Sequence, residues 1–278
     1  MAAPATLFIL TPSRVIHPTA IIDPSAQIAA DVEIGPYCVI GAGVELGAGC
    51  RLQHNVTLMG PAKIGPGNIF FAYGSIGQQT QDLKYKGEPT LLEIGEGNTF
   101  REFCTVHRAT SPGDKTVIGS RNHFLSYVHI AHDCVVGSHC VFSNNGTLAG
   151  HVIVGDHVIL GGLSAVHQFC RIGERSIIGG CSKIVQDVPP YSTADGNPAR
   201  ARGLNIVGLQ RAGFSREQIR ALRHAFRKVY RSGLNNSQAV EELRAGELTP
   251  EAARFTDFVA TTKRGIIAGG KSADDAED

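Results

Sequence analysis

The stretch Glu33-Ile34-Gly35-Pro36-Tyr37-Cys38-Val39-Ile40-Gly41-Ala42-Gly43-Val44-Glu45-Leu46-Gly47-Ala48-Gly49-Cys50-Arg51-Leu52 decides the fold. Ile34, Ile40, Leu46 and Leu52 recur at every sixth position, and Val32, Cys38, Val44 and Cys50 recur two places before them. Going backward, the aliphatic column continues through Ile28 and Ile22 to Ile16; going forward, it reaches Leu58, Ile64, Phe70 and Ile76. It breaks, resumes at Ile94, Phe100 and Val106, and breaks again. From Ile118 it runs unbroken through Phe124, Ile130, Val136, Phe142, Leu148, Val154, Leu160, Val166, Ile172 and Ile178 to Ile184.

A period of six matches neither a 3.6-residue helix nor a simple alternating strand. It matches a solenoid of short strands, each followed by a turn. With three hexads per coil, residues eighteen apart stack at the spacing of paired strands, about 4.8 Å. The fold expected is mainly β: a left-handed parallel β-helix over residues 15–190, its hand taken from hexapeptide-repeat families. Both columns should point inward, with glycine supplying unusual backbone angles at the corners. All the cysteines but Cys181 fall in the small inward column, where Cys acts as a compact hydrophobe.

Two insertions interrupt the coil, near residues 78–92 and 108–115, and loops extruded from a regular solenoid are candidates for function. Val188-Pro189-Pro190 ends strand propagation. Beyond it, Ser215-x-x-Gln218 has the form of a capping box before Ile219, Leu222, Phe226, Val229 and Tyr230, which share one helical face. Thr249-Pro250-Glu251 opens a second helix through Phe255, Phe258 and Val259. Residues 191–267 therefore read as a C-terminal helical domain, 1–14 as an N-terminal extension and 268–278 as a disordered acidic tail.

Composition agrees. Hydrophobic residues make up 42% of the 278, enough for a sizeable core, while 33 Gly with 2 Met and no Trp favour short strands and tight turns. A net charge of +1 argues against a general nucleic-acid binder. No Cys-x-x-Cys pair exists, so neither a zinc ribbon nor a disulfide framework is expected. The apolar run Leu7 to Leu10 is too short for a signal-peptide core, and no window approaches a membrane span. The cytoplasm is the expected compartment.

The polar residues also follow the repeat. Adding eighteen to His132 gives Gly150, so Gly150-His151 should lie one coil above His132, and His167-Gln168 one coil above that. All are out of the inward register and should form a vertical strip on the prism surface. Histidine, with an unperturbed pKa near 6.5, suits proton transfer there.

The first insertion holds Gln81-Asp82-Leu83-Lys84-Tyr85-Lys86-Gly87-Glu88-Pro89-Thr90, and the polar positions of later hexads lie in His129-Ile130-Ala131-His132-Asp133-Cys134, Leu148-Ala149-Gly150-His151 and Ala165-Val166-His167-Gln168-Phe169-Cys170. Gln186-Asp187-Val188-Pro189-Pro190-Tyr191 and Gly213-Phe214-Ser215-Arg216 complete the set. Together, from about His17 to Ile267, these resemble the UDP-N-acetylglucosamine O-acyltransferases, the first enzymes of lipid A biosynthesis. The resemblance implies transfer of a hydroxyacyl group from acyl carrier protein to the sugar 3-hydroxyl by a homotrimer whose active sites lie between subunits. It implies His132 as general base with Asp133 in support, and the Gly150 N–H as oxyanion donor. His129, His151, His167 and Gln168 match substrate-contacting positions, with His107 secondary. Gln81, Asp82 and Lys84 match positions that bind sugar, phosphate or donor. Asn205 and Arg211 match nucleotide-binding positions, although Val207 and Ala212 stand where the family often has Glu and a second basic residue. Gly180 matches the position that limits acyl length, and a glycine there should admit a longer chain. No cofactor is implied beyond the phosphopantetheine of acyl carrier protein, and no metal.

Between Arg200 and Arg231 stand nine Arg or Lys and one acid, Glu217. Such an excess suits an acidic carrier protein, and no base-reading aromatics accompany it. Three other readings fit the repeat. One is an N-acyltransferase of the same pathway, although such chains usually carry a separate N-terminal uridine-binding domain, whereas here the hexads begin near Ile16. A second is a metal-dependent hexapeptide enzyme drawing on His129, His132 and His151. The third is a solenoid scaffold without catalysis, because this fold alone does not specify a reaction.

Overall fold

The structure, a computed structural model, describes residues 15–270. The expectations for 1–14 and 271–278 fall outside the described residues. Short strands, most of two residues, visit three sheets in turn, beginning with Val15–Ile16, Ile21–Ile22 and Gln27–Ile28. The sheets hold eleven, nine and eight strands. Pairing is parallel, with Ile16 opposite Ile34, Ile130 opposite Leu148 and Leu148 opposite Val166, each eighteen positions apart. The chain is thus a parallel β-helix. Val106 pairs with Ile76 thirty positions back, so the first insertion adds twelve residues to its coil. Ile130 pairs with Val106 twenty-four back, so the second adds six.

The aliphatic column fills the prism: Ile34, Ile40, Leu58, Phe70, Phe142 and Leu148 are all buried. Each such side chain contributes roughly 2 kcal/mol by leaving water, and stacking makes the core continuous from coil to coil. The small column is buried beside it. Its thiols donate to carbonyls on the next coil, as from Cys38 Sγ to Gln53 O at 2.8 Å and Cys134 Sγ to Ala149 O at 3.2 Å. Burial pushes the Cys104, Cys134 and Cys140 thiols up to about 12, so none is a ready nucleophile. Cys181 alone among the cysteines is exposed.

The corners differ from expectation. Sixteen non-glycine residues among those described have positive φ, most of them following the six-residue period, including Tyr37, Tyr127, Asp133 and His151. The glycines after the aliphatic column do another job. A Cβ on Gly35 or Gly47 would lie 2.8 or 2.7 Å from backbone atoms of the next coil. Close approach of stacked turns, rather than backbone angle, excludes side chains there.

Two boundaries also shift. Residues 191–204, grouped above with the helical domain, form the hairpin Ser192–Gly196 and Ala199–Leu204, which extends the first sheet. Its signal is the alternation of buried Ala199 and Ala201 with exposed Arg200 and Arg202, a period of two among hexads. Residues 268–270, assigned above to a disordered tail, bond to Ala201, which donates to Ala268 O at 2.9 Å and accepts from Gly270 N at 2.8 Å.

Four helices follow: α1 (Ile206–Arg211), α2 (Arg216–Arg231), α3 (Asn236–Arg244) and α4 (Pro250–Ala260). Ser215 and Gln218 form the capping box, and Thr249 caps α4 with Pro250 at its first position. The helices are tied to the last coil through Asp187. Its carboxylate accepts from Arg171 Nε at 2.9 Å and Thr262 Oγ1 at 2.8 Å, and Arg171 also donates to Phe258 O at 3.0 Å. No described helix is long and apolar enough to cross a membrane.

Candidate active site

Because Ile130 and Leu148 point inward from the second sheet, the residues that follow them turn the same corner of the prism, one coil apart. Asp133, His151 and Phe169 all occupy that corner with φ of 60°, 59° and 64°. The His151 ring stacks on Phe169 with centroids 4.6 Å apart and meets His132 edge-on at 5.3 Å. Gly150 lies directly over the His132 ring: a Cβ at position 150 would fall 2.4 Å from Cε1 and 2.6 Å from Nε2. Any side chain there would evict the imidazole. The Gly150 N–H donates to no acceptor among the described residues.

His132 Nδ1 is 2.7 Å from Asp133 Oδ2, and both side chains are largely buried. Burial alone would raise the Asp133 carboxyl, but hydrogen bonds from His132 and Thr110 outweigh it and hold it below the usual carboxylate range. A charged carboxylate only accepts, so Nδ1 is the donor, and in the neutral imidazole this leaves the lone pair on Nε2, beside Gly150. His151 Nε2 lies 3.6 Å from the same Oδ2. Three further contacts fix Asp133 and the ring. Thr110 N donates to Oδ1 at 3.1 Å, Asp133 N donates to Thr116 Oγ1 at 2.8 Å, and Thr110 Oγ1 lies 3.1 Å from His132 Nδ1.

Two more imidazoles stand beside this corner. His129 Nδ1 is 2.7 Å from Thr105 Oγ1, and His107 meets the His129 ring at 5.3 Å. Burial, reinforced by the neighbouring histidines, depresses His107 to about 4 and lowers His129 as well, so both are neutral near pH 7. His107 Nδ1 is buried with no hydrogen-bond partner among the described residues.

The first insertion reaches the corner through hydroxyls. Asp82 N donates to Thr80 Oγ1 at 3.1 Å, Thr80 Oγ1 is 2.9 Å from Thr110 Oγ1, and Thr110 touches His132. Asp82 Oδ1 accepts from Lys84 N at 2.9 Å, which shapes the loop tip. Gln81 and Lys84 are exposed, and Leu83 is fully so. One coil above His151, His167 and Gln168 are exposed, with Arg264 Nη2 3.4 Å from His167 Nδ1.

The structure therefore brings His132, Asp133, Gly150 and His151 into direct contact, sets His129 and His107 alongside, and links Asp82 to them. Gln81, Lys84 and Gln168 make no contact with the dyad. Asn205 is a helix cap: its Oδ1 accepts from Gly208 N at 3.0 Å and its Nδ2 donates to Arg175 O at 2.9 Å. Arg211 is exposed at the end of α1. Gly180 is exposed, and a Cβ there would meet only Gly162 O, at 3.4 Å. Thr80, Thr110, Thr116 and Arg264 escaped the sequence reading, because three lie in or beside insertions where the repeat gives no register and one comes from the C-terminal segment. For a metal, the ligand atoms of His132, Asp133 and His151 all lie within 4.8 Å of one another, a set that differs from the His129-containing one considered above.

Residues 187–267 match the family model described as "Udp N-acetylglucosamine O-acyltransferase; Domain 2", and residues 15–48 match the bacterial transferase hexapeptide model. Among solved structures, the chain is similar to LpxA of Acinetobacter baumannii, at 49% identity and a TM-score of 0.88 over 91% of this chain and 99% of that one. It is similar to the UDP-N-acetylglucosamine O-acyltransferase of Moraxella catarrhalis at 48%, with a TM-score of 0.87 over 91% and 99% of the two chains. The UDP-N-acetylglucosamine acyltransferase of Arabidopsis matches at 37%, with a TM-score of 0.81 over 91% and 100%.

Proposed function

The chain belongs to the UDP-N-acetylglucosamine O-acyltransferase family, and from that premise we propose how its own residues carry out the reaction. The enzyme moves an (R)-3-hydroxyacyl group from acyl carrier protein to the 3-hydroxyl of UDP-N-acetylglucosamine, opening lipid A biosynthesis. His132 Nε2 takes the proton of the sugar 3-hydroxyl as its oxygen attacks the thioester carbonyl. The tetrahedral oxyanion is met by the Gly150 N–H. As the carbonyl re-forms, the C–S bond breaks, and the imidazolium returns the proton to the departing phosphopantetheine sulfur. Asp133 keeps the proton on Nδ1 and stabilises the transient imidazolium. The observation that carries this reading is the His132 ring held between the Asp133 carboxylate, 2.7 Å from Nδ1, and a glycine that leaves space only for a bare backbone.

The remaining roles rest on position. His129 and His107, both neutral, suit hydrogen bonding to sugar hydroxyls, and His107 Nδ1 has its bonding capacity to spare. To His151, His167, Gln168, Gln81, Asp82 and Lys84 we assign contacts with the sugar nucleotide and the donor. Asn205 holds α1 with Arg211 at its end and so serves the nucleotide indirectly. Gly180 leaves the acyl groove open. Exposed Arg216, Arg220, Arg223 and Arg227 make a basic face on α2 for acidic acyl carrier protein. The active unit is a homotrimer. In support, Tyr73, Phe103 and Tyr127 stack at 5.0 and 4.9 Å into an exposed ladder, and Leu83 stands fully in solvent, surfaces that a partner subunit would cover. No cofactor takes part beyond the donor's phosphopantetheine. The cytoplasm, where such donors are made, is the compartment.

Mass spectrometry of UDP-N-acetylglucosamine incubated with a panel of acyl carrier protein thioesters tests the reading. A 3-O-(3-hydroxyacyl) product is expected, and formation that persists in EDTA separates it from a metal-dependent use of His132, Asp133 and His151. An N-acylated product, or none, contradicts it.

A further inference from the structure

In a regular coil the corner residue donates its N–H to a backbone carbonyl of the coil below, as His139 N does to Ser120 O at 2.9 Å and His151 N to His132 O at 3.0 Å. At Asp133 this carbonyl is gone, because the coil below leaves the prism in the second insertion. Two threonines refill the space. Thr116 Oγ1 takes the Asp133 N–H at 2.8 Å, and Thr110, from the insertion itself, makes two contacts: its N–H to Asp133 Oδ1 at 3.1 Å and its hydroxyl to His132 Nδ1 at 3.1 Å. A plain hexad would have supplied a carbonyl oxygen beneath Asp133 and no donor for its carboxylate.

The dyad and the first insertion are joined by a chain of hydrogen bonds. Nδ1–H points at Asp133 Oδ2, so Thr110 Oγ1 can only accept from it. Thr110 Oγ1 and Thr80 Oγ1 lie 2.9 Å apart and share one hydroxyl proton between them, and Thr80 Oγ1 also accepts the Asp82 N–H at 3.1 Å. Thr80 is buried, so this connection is sheltered from water. Asp82 in turn folds the loop that presents Lys84.

We propose that Thr110 is a positioning residue for the transfer reaction: the second insertion exists to clamp the His132–Asp133 dyad, and through Thr80 it ties the dyad's geometry to the loop carrying Asp82 and Lys84. The inference rests on the reading of His132 as the base. Thr110 touches no reacting atom. It acts by holding the ring and the carboxylate in one arrangement, so its loss should appear in turnover rather than in sugar-nucleotide binding.

The test is steady-state kinetics of the full-length enzyme with UDP-N-acetylglucosamine and a 3-hydroxyacyl carrier protein donor, comparing Thr110→Val, Thr110→Ser, Asp133→Asn and the double variant Thr110→Val/Asp133→Asn. Thr110→Val keeps the shape and removes the hydroxyl. It should lower kcat about tenfold, as for one lost hydrogen bond to a charged pair, with KM for the sugar nucleotide within about twofold. Thr110→Ser should recover most of the rate. If the Thr110 hydroxyl works by holding the His132–Asp133 arrangement, which Asp133→Asn already breaks, the double variant is no slower than Asp133→Asn alone. A Thr110→Val enzyme at the wild-type rate, losses that multiply in the double variant, or a serine no better than valine would each overturn the proposal. Should Thr110→Val fail to give soluble protein, Thr110→Ala replaces it in the same comparisons. Wild-type enzyme that forms no product would refute the functional reading instead, so the two failures are distinguishable.

Discussion

His107 shows what burial does to a single residue at this site. Its folded-state value near 4 lies well below the 6.5 expected in an unfolded chain, because the charged form loses water without gaining a carboxylate. The unfolded state therefore binds a proton first as pH falls. The stability held above pH 6.5 is lost progressively down to about pH 4, by an amount on the order of 3 kcal/mol at most. Burial shifts His129 in the same direction. Thermal unfolding at pH 7.5, 6 and 5 should show a steep acid decline in wild type and a shallower one in His107→Gln, and equal slopes would contradict the assignment. At this scale the sequence was most legible where residues obey the eighteen-residue repeat. His132, Gly150 and His151 are placed by arithmetic alone, and the structure has them in contact. Thr110 and Thr80 were invisible for the opposite reason: a hydroxyl in an insertion has no register, so the sequence does not say which polar group it meets.

Among the elements, α2 joins packing to partner choice. Ile219, Leu222, Ala225, Phe226 and Val229 form its buried stripe, and Arg216, Arg220, Arg223 and Arg227 the opposite face. Lys228, by contrast, is committed to Glu242 at 2.6 Å. The four arginines follow a 4-3-4 spacing and make one continuous basic strip, which mixed surface charge would not. Arg220→Glu/Arg223→Glu should raise KM for the acyl carrier protein donor about tenfold at low salt and leave KM for UDP-N-acetylglucosamine within about twofold. Unchanged donor KM at low ionic strength would move the docking surface elsewhere. The capping signals at Ser215 and Thr249 were readable because caps are local chemistry. The hairpin at 192–204 was not, because only its second strand alternates, Ala with Arg, while Ser192–Gly196 has neither that alternation nor the period of six. Glycine taught a related lesson. At Gly35 and Gly47 its role comes from the neighbouring coil, which the one-dimensional pattern does not display.

For the whole molecule, a solenoid turns sequence period into vertical alignment, so residues far apart along the chain become neighbours on one edge without any special loop. The fold needs rigid, identical coils for that alignment, and the insertions are the places where it departs from them: one carries Asp82 and Lys84 outward, the other clamps the dyad. The exposed aromatic ladder on the prism and Leu83 on the first insertion are the surfaces that the proposed homotrimer would cover. The most direct measurement is a crystal structure of the enzyme with its UDP-3-O-(3-hydroxyacyl)-N-acetylglucosamine product. The ester oxygen on sugar carbon 3 should lie within about 2.6–3.2 Å of His132 Nε2, with the ester carbonyl directed at the Gly150 N–H. A product seated at another corner of the prism, or with its ester turned away from both groups, would contradict the mechanism.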